Sequence, residues 1–538
     1  MPPQSEEQED ATDEGCEWEK PIQDLEEEDD NMLIHMEWDR LEEEFLQYLE
    51  TERPTIKTIV AQHLNLKAHQ TCSVAKRYEW MGGTYNVCIP VFISNWRARR
   101  VLIRCPFPHR LGGLHKTTLM EEKLRCEAAS FAWLSRNCPR VPIPHLFGFG
   151  LPGGLQFSPL EHAPWYQRVS TFLRWCWARA CGRSYFRPFA PLQSRVSLKS
   201  GYLLIECFEK ERGQTLSAVG HPPPEHRPTL FRSLRRILLD LARPLSRIGS
   251  FTVHDSGEVC LTNRPLTRGL VVLENAGVPT KIPQNQTYSS TEPYLLDLIN
   301  CHDQRLIHQP NVARSKLDLE GQMATIVALR ALYSTFMSTP LQREPPIFQF
   351  TDLHEDNFFV DENYCITGIV DIEFSCALPR EMQHPPFWLS GHELDDLDGE
   401  GTQENEEKFE RACEEFLRIL EEEDDDDGDG ETFSICPRDY AQAMRDSLRR
   451  KQHWYLTAVK VPRIAYNTFV NKIQPQFAFS HSEEEAGKFQ DVMAKYWRVD
   501  TVAFFEQKRH EWSNHLSQLR SIQSPSTSTP VCVLLPIS

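Results

Sequence analysis

Three side chains in Phe350-Thr-Asp-Leu-His-Glu-Asp-Asn-Phe-Phe-Val-Asp-Glu-Asn-Tyr-Cys-Ile-Thr-Gly-Ile-Val-Asp-Ile-Glu373 are spaced for one piece of chemistry: Asp352, Asn357 and Asp371. The apolar Phe358-Phe359-Val360, the polar turn Asp361-Glu362-Asn363 and the β-prone run from Cys365 to Val370 read as a hairpin. Antiparallel pairing about that turn brings the start of the first strand opposite the end of the second, so Asn357 and Asp371 converge, with Asp352 one short loop upstream. One carboxylate and one amide oxygen suit Mg²⁺, which keeps waters and takes its other ligands from substrate phosphates. An aspartate beside such a pair can orient or deprotonate a hydroxyl, so together the three residues point to phosphoryl transfer from ATP. Each alone could equally cap a turn.

The elements that would position them can be followed along the chain. The pattern Leu33, Met36, Trp38, Leu41, Phe45, Leu46, Leu49 predicts a helical approach over 31–66. Met81-Gly82-Gly83-Thr84-Tyr85-Asn86 then opens a strand from Val87 to Phe92, followed after an Asn95/Trp96 turn by a second strand, Val101 to Arg104. Glycines at such a turn let backbone amides approach phosphates closely, although a Gly-Gly pair is more often only a turn. Thr118-x-x-Glu121 predicts a capping box opening a helix that runs to about Arg136 and carries Glu127. Val141 to Phe147 leads into the next strand, and Tyr202 to Glu206 forms another. Helical spacing marks 230–242, stopped by Pro244, and then 317–336, 409–420 and most of 440–519, with Tyr455, Leu456, Val459, Val461, Phe504, Phe505 and Trp512 as core positions.

Asp-Leu-His-x-x-Asn followed by a hairpin and Ile-Val-Asp-x-Glu resembles the active-site signature of aminoglycoside phosphotransferase and choline-kinase-like proteins. With Pro379-Arg-Glu-Met-Gln-His-Pro-Pro-Phe-Trp-Leu389 added, the chain is similar, from about Trp80 to about Leu519, to a group of fungal aminoglycoside-phosphotransferase-like proteins. The resemblance implies an α+β, protein kinase-like fold of two lobes: a β-rich N-lobe over 32–208 and a mainly helical C-lobe over 209–520. It implies ATP and Mg²⁺ as cofactors, with Asp352 as the catalytic base and Asn357 and Asp371 as metal ligands. Gly82 and Gly83 would cover the phosphates, and Arg104, steadied by Glu127, would grip them, with Lys116 and Lys123 as alternatives. The strand ending at Glu206 would be the hinge that receives the adenine edge. His354 would stabilise the loop, and Glu373 would stand behind the ligands or simply end a strand.

Two positions depart from the family pattern: Phe350 stands where a His is common, and Arg104 where a Lys is common. A catalytically impaired pseudokinase, acting as a nucleotide-binding or protein-interaction module, is therefore the competing expectation. The acceptor, a hydroxyl-bearing small molecule, carries no general code in the sequence.

Composition sets the remaining bounds. A hydrophobic content of 40% with 12 Trp and 29 Phe indicates a packed core, and 16 scattered cysteines without a Cys-x-x-Cys pair suggest neither a zinc site nor a disulfide framework. The N-terminus lacks a signal-peptide pattern and no segment is apolar enough for a transmembrane helix, so an intracellular, cytoplasmic setting is expected. The net charge of -19 is concentrated: 1–31 carries roughly -13 and 393–431 roughly -17, leaving the remainder near +11. Residues 1–31 and 521–538 are expected to be loose tails, and 393–431 an acidic insert with a helical middle that offers a protein partner a binding segment. The Trp- and Arg-rich insertion 164–199 is expected to pack on its own lobe. Contact with a membrane surface, nucleic acid or an acidic segment is the alternative.

Overall fold

The computed structural model describes residues 31–96, 100–113, 117–194, 196–337, 344–398, 403–422, 434–478 and 482–523. The expected tails at 1–30 and 524–538, the acidic run at 423–430 and Lys116 lie outside the described residues.

The β-branched and aromatic runs of the first two hundred residues pair as the sequence predicts. The strands are β1 (Cys72–Val74), β2 (Met81–Gly82), β3 (Asn86–Ile93), β4 (Arg100–Pro106), β5 (Leu146–Gly150), β6 (Gln156–Pro159), β7 (Phe189–Leu192) and β8 (Tyr202–Glu206). They form one antiparallel sheet in the order β1-β3-β4-β8-β5-β6-β7, with β2 paired to the start of β3. The helical approach breaks at Glu52 into α1 (Trp38–Thr51) and α2 (Arg53–His63), with Pro54 in the first turn of α2, where its missing N–H costs nothing. Their apolar stripes, including Phe45, Leu49, Ile56 and Val60, cover Val87, Ile89 and Val101 of the sheet.

Helix α3 (Thr118–Asn137) packs on the opposite face of the sheet, against residues such as Phe149, Leu203 and Ile205. The expected capping box is absent: Thr118 is already helical, the residue before it makes no side-chain cap, and the Glu121 carboxylate is drawn instead to Arg125, one turn on, at 2.8–2.9 Å. An i,i+4 ion pair has displaced a cap. Helix α4 (Trp165–Ala180) lies in the connection between β6 and β7, so the insertion contributes an edge strand to the sheet as well as a helix.

From residue 209 onward helices dominate: α5 (Arg227–Leu241), α6 (Arg268–Asn275), α7 (Thr291–His308), α8 (Lys316–Ala331), α9 (Gln403–Glu421), α10 (Pro437–Arg449), α11 (Gln452–Lys460), α12 (Glu483–Trp497) and α13 (Thr501–Gln523). Small sheets thread between them: β9 (Gln214–Thr215), β10 (Ser250–Val253) with β11 (Val259–Asn263), β12 (Ile347–Phe350) with β15 (Ser375–Leu378), and the hairpin β13 (Phe358–Val360) and β14 (Ile366–Ile369). The fold is α+β, as expected. Tyr455, Leu456, Val459 and Phe504 are buried, whereas Val461, Phe505 and Trp512 are only half-buried, and residues 521–523 continue α13 rather than opening a loose tail.

The acidic stretch is not simply an insert. Phe409, Cys413, Phe416, Leu417 and Leu420 of α9 are buried in the core, and Arg235 donates to the Leu420 and Glu422 carbonyls. Its acidic face meets Arg227, Arg445, Lys451 and Lys472 in ion pairs. Much of its charge is thus balanced locally.

Candidate active site

The expected hairpin forms, with Phe358 opposite Ile369, Phe359 opposite Gly368 and an irregularity before Val360, so that Asn357 falls opposite Val370, the residue before Asp371. Asp361 organises the turn, its carboxylate accepting from the Asn363 and Cys365 amides at 2.9 Å. At the open end the Val370 amide donates to the Asn357 carbonyl at 2.9 Å, which sets Asn357 beside Asp371. The buried Asn357 side chain donates from Nδ2 to the Asp352 carbonyl at 2.8 Å. That use of the amide nitrogen leaves Oδ1 as the end that could meet a cation. Asp371 sits in the left-handed region at φ 56°, a conformation aspartate tolerates better than most residues, and its carboxylate is 41% exposed.

Arg104, buried on β4, donates Nη1 to Glu127 and Nη2 to Asp371 at 2.6 Å and to Glu373 at 3.1 Å. Burial opposes its charge, and Asp371, Glu127 and Glu373 outweigh that, raising its pKa well above the ordinary value. Burial raises the Glu127 pKa despite the opposing pull of Arg104 and Lys123. Lys123, fully buried one turn before Glu127 on α3, reaches Asn86 Oδ1 at 3.0 Å, Glu127 Oε2 at 3.5 Å and the Glu373 carboxylate. Asn86 completes the ring by donating to Glu373 at 2.8 Å.

The glycine turn is tied to this network through Asn86. Gly83 N–H donates to the Asn86 carbonyl at 2.9 Å, and both Gly82 and Gly83 are exposed. Among the described residues, a Cβ added at Gly82 would meet nothing within 4 Å and at Gly83 only a backbone oxygen at 3.7 Å. Tyr85, next in the turn, packs edge-on against Phe374 and shares Arg268 with Asp352, whose carboxylate is 3.2 Å from that guanidinium. Burial, opposed in part by Arg268, pushes the Tyr85 hydroxyl up to about 12.

Asp352, Asn357, Asp371, Arg104, Glu127, Gly82 and Gly83 therefore come to one region. Glu206 does not join them: β8 pairs Leu203 with Arg104, and Glu206 lies three residues further along, its carboxylate accepting the His145 amide at 3.1 Å. The backbone after it runs to β9, which pairs with the outer edge of the hairpin. The half-exposed His354 ring is 3.6 Å from Asp356, too far for a hydrogen bond, so its contribution to the loop is the carbonyl that accepts the Asn357 amide at 3.1 Å. Thr351, tied through both N–H and Oγ1 to the Phe374 carbonyl, and Trp388, donating to the Leu353 carbonyl at 3.1 Å, hold the loop. Phe350 turns to Phe348 and packs.

Asn86, Lys123, Arg268, Tyr85 and Trp388 are the site residues that spacing alone did not single out for these contacts. Lys123 and Glu127 are four apart on one helix, a visible signal. The others depend on long-range packing. Two oxygen ligands, Asn357 Oδ1 and the exposed side of Asp371, fit a hard cation such as Mg²⁺ that keeps most of its waters. Among the described residues no group of three or more His, Cys, Asp or Glu is placed to hold a metal by protein ligands alone.

No family model and no curated protein matches this chain. Among solved structures it is similar to a thermostable mutant of the aminoglycoside phosphotransferase APH(4)-Ia in ternary complex with AMP-PNP and hygromycin B (12% identity, 81% of this chain and 97% of that one, TM-score 0.35). It is also similar to the ADP-bound aminoglycoside phosphotransferase APH(2'')-Ib (9%, 82% and 98%, 0.31) and to the macrolide 2'-phosphotransferase MphH from Brachybacterium faecium (10%, 79% and 98%, 0.29). With scores this low, the residue assignments rest on the geometry above.

Proposed function

We propose that the protein is an ATP-dependent phosphotransferase that moves the γ-phosphate to a hydroxyl of a small molecule. The observation that carries this reading is the meeting of Asp352, Asn357 and Asp371 at the open end of one hairpin, with the glycine turn tied to Asp352 through Tyr85 and Arg268. Residues 32–208 would form the nucleotide-covering lobe, and 209–520 the lobe that builds the acceptor pocket. Asp352 orients the acceptor hydroxyl and takes up its proton as the oxygen attacks phosphorus. Arg268 holds that carboxylate until an acceptor replaces it. Asn357 and Asp371 would hold Mg²⁺, which when bound neutralises the phosphate oxygens. The exposed Gly82-Gly83 turn, with no side chain in the way, lets phosphates approach the backbone closely, and the strand ending at Glu206 leads into the adenine-facing backbone.

A second reading, a nucleotide-binding module with impaired turnover, is favoured by one specific observation. The Arg104 guanidinium is already engaged by three carboxylates and is buried, so gripping phosphate requires it to release Asp371 or Glu373.

A screen of hydroxyl-bearing metabolites for ATP-dependent phosphorylation separates the two. The enzyme reading expects a phosphorylated product whose formation falls by about 10²–10⁴-fold in Asp352→Asn, the usual worth of a general base. Product formed equally well by that variant would remove Asp352 as the base. Nucleotide binding without any product would favour the second reading.

A further inference from the structure

Helix α4 exposes the face that a helix of a globular protein normally hides. At 100° per residue, Phe172, Trp165, Val169, Leu173, Tyr166 and Trp177 share one arc of about 140°. All six are exposed, Trp165 at 75% and Trp177 at 73%. The body-facing side is narrow: Thr171 is the one buried residue of the helix, and its Oγ1 accepts from Arg187 at 3.1 Å. The later part of the insertion packs on its own lobe as expected, with Phe189, Ala190 and Leu198 buried, whereas α4 turns its polar side inward and its apolar side outward. Single exposed apolar residues are ordinary, whereas a contiguous arc of six marks an interaction surface.

Charge identifies what the surface meets. From 163 to 205 the chain has seven Lys or Arg and no Asp or Glu. On the helix, Arg168 and Arg179 flank one edge of the apolar arc and Arg174 lies beyond the other. We propose that α4 is a membrane-interface helix that lies flat on an anionic lipid bilayer. Its apolar arc sinks to the headgroup–acyl boundary, Trp165 and Trp177 sit at headgroup level, and the arginines reach back to lipid phosphates. A convex helix with cations along both edges of its apolar arc suits a fluid planar surface. An acidic protein segment such as this chain's own 1–31, poor in apolar residues, would pair the arginines but leave the arc wet. A second copy would bring like-charged edges together. No described helix is long and apolar enough to cross a membrane, so the attachment is peripheral. It is independent of the phosphotransfer reading.

Flotation of the full chain with phosphatidylcholine vesicles, with and without about 30% phosphatidylserine, tests the assignment. The expected result is binding to the anionic vesicles about 10-fold or more tighter than to the neutral ones, weakening with salt. Trp165→Ser/Phe172→Ser/Leu173→Ser, at exposed positions and with an unchanged unfolding midpoint, should lose binding about 10-fold or more. Arg168→Gln/Arg174→Gln/Arg179→Gln should lose the preference for anionic lipid. A full chain that stays with the soluble fraction, or an apolar-face variant that floats equally well, would overturn the proposal. So would light scattering that finds a dimer dissolved by that variant without any vesicle binding, since the arc would then be a self-association surface.

Discussion

Lys123 and Arg104 are two buried cations set among three carboxylates, Glu127, Glu373 and the half-exposed Asp371, with Asn86 bridging the inner pair. Such a network is stable only when complete, because removing one partner leaves a charge in low dielectric with no counter-ion. Lys123→Met should therefore lower stability by about 3–5 kcal/mol, read as a shift of the urea midpoint. A change under about 1 kcal/mol would mean that Arg104 alone satisfies both glutamates. At this scale the sequence was legible where chemistry and local spacing coincide: Asp352, Asn357 and Asp371 lie within 20 residues, and the hairpin between them has a turn that any reading finds. Arg104 with Glu127 needed the resemblance as a guide. Arg268 was not legible, because its contact with Asp352 spans 84 residues and nothing local to Thr267-Arg268 marks it. The His354 ring looked like the loop's support because it stands in the motif; the support comes instead from the His354 carbonyl and from Thr351 and Trp388, through backbone-directed bonds that residue types do not encode.

The hairpin is held from its outer edge by β9, and the junction depends on Gly213. Gly213 adopts φ +91°, and a Cβ there would come within 1.8 Å of the Val360 carbonyl oxygen, a contact with rigid backbone that no rotamer relieves. Gly213→Ala should push β9 away from β13 and cost about 1–3 kcal/mol. Because β13 begins next to Asn357, the same variant should weaken Mg²⁺-nucleotide binding, measured by titration calorimetry, while leaving every proposed ligand in the sequence. Unchanged stability and affinity would show that the hairpin stands without that strap. Elements were the most legible level of the chain, since periodicity reports them directly. The misses have local physical causes. Glu121 chose Arg125 over a cap. The helix in the insertion was expected to pack on its own lobe, and α4 turns its apolar face outward instead, because composition does not say which face of a helix the protein covers.

Across the whole molecule, burial holds several imidazoles neutral: His63 and His302 are lowered to about 4 and His453 to about 3. His63 sits between Ser158 and Tyr202 at 2.9 and 2.8 Å, and His302 meets the Val459 carbonyl at 2.9 Å. A histidine whose folded pKa lies below its unfolded value of about 6.5 binds its proton first in the unfolded chain. Its stabilisation is therefore complete above about pH 6.5 and lost progressively as pH falls toward 4 and then 3. Buried carboxyls with raised pKa, Glu127 and Asp398 among them, act in the opposite sense and should soften the acid end of the curve. The unfolding temperature should accordingly drop from pH 7 to pH 5, and a flat profile over that interval would contradict neutral burial of these rings. The overall charge pattern was only partly legible. The sign of each segment is countable, but the pairing of α9 with Arg227, Arg445, Lys451 and Lys472 depends on a helix packing into the core. The central claim, that the hairpin and the glycine turn form a Mg²⁺-nucleotide site, is tested most directly by thermal shift with ATP in the presence and absence of Mg²⁺. The account predicts that ATP with Mg²⁺ raises the unfolding temperature by several degrees, by about 2.7 kcal/mol of linkage at 100-fold saturation, and that Asn357→Ala and Asp371→Asn each abolish the metal-dependent part. No Mg²⁺-dependent shift in the unsubstituted protein, or a full shift in both variants, would contradict it.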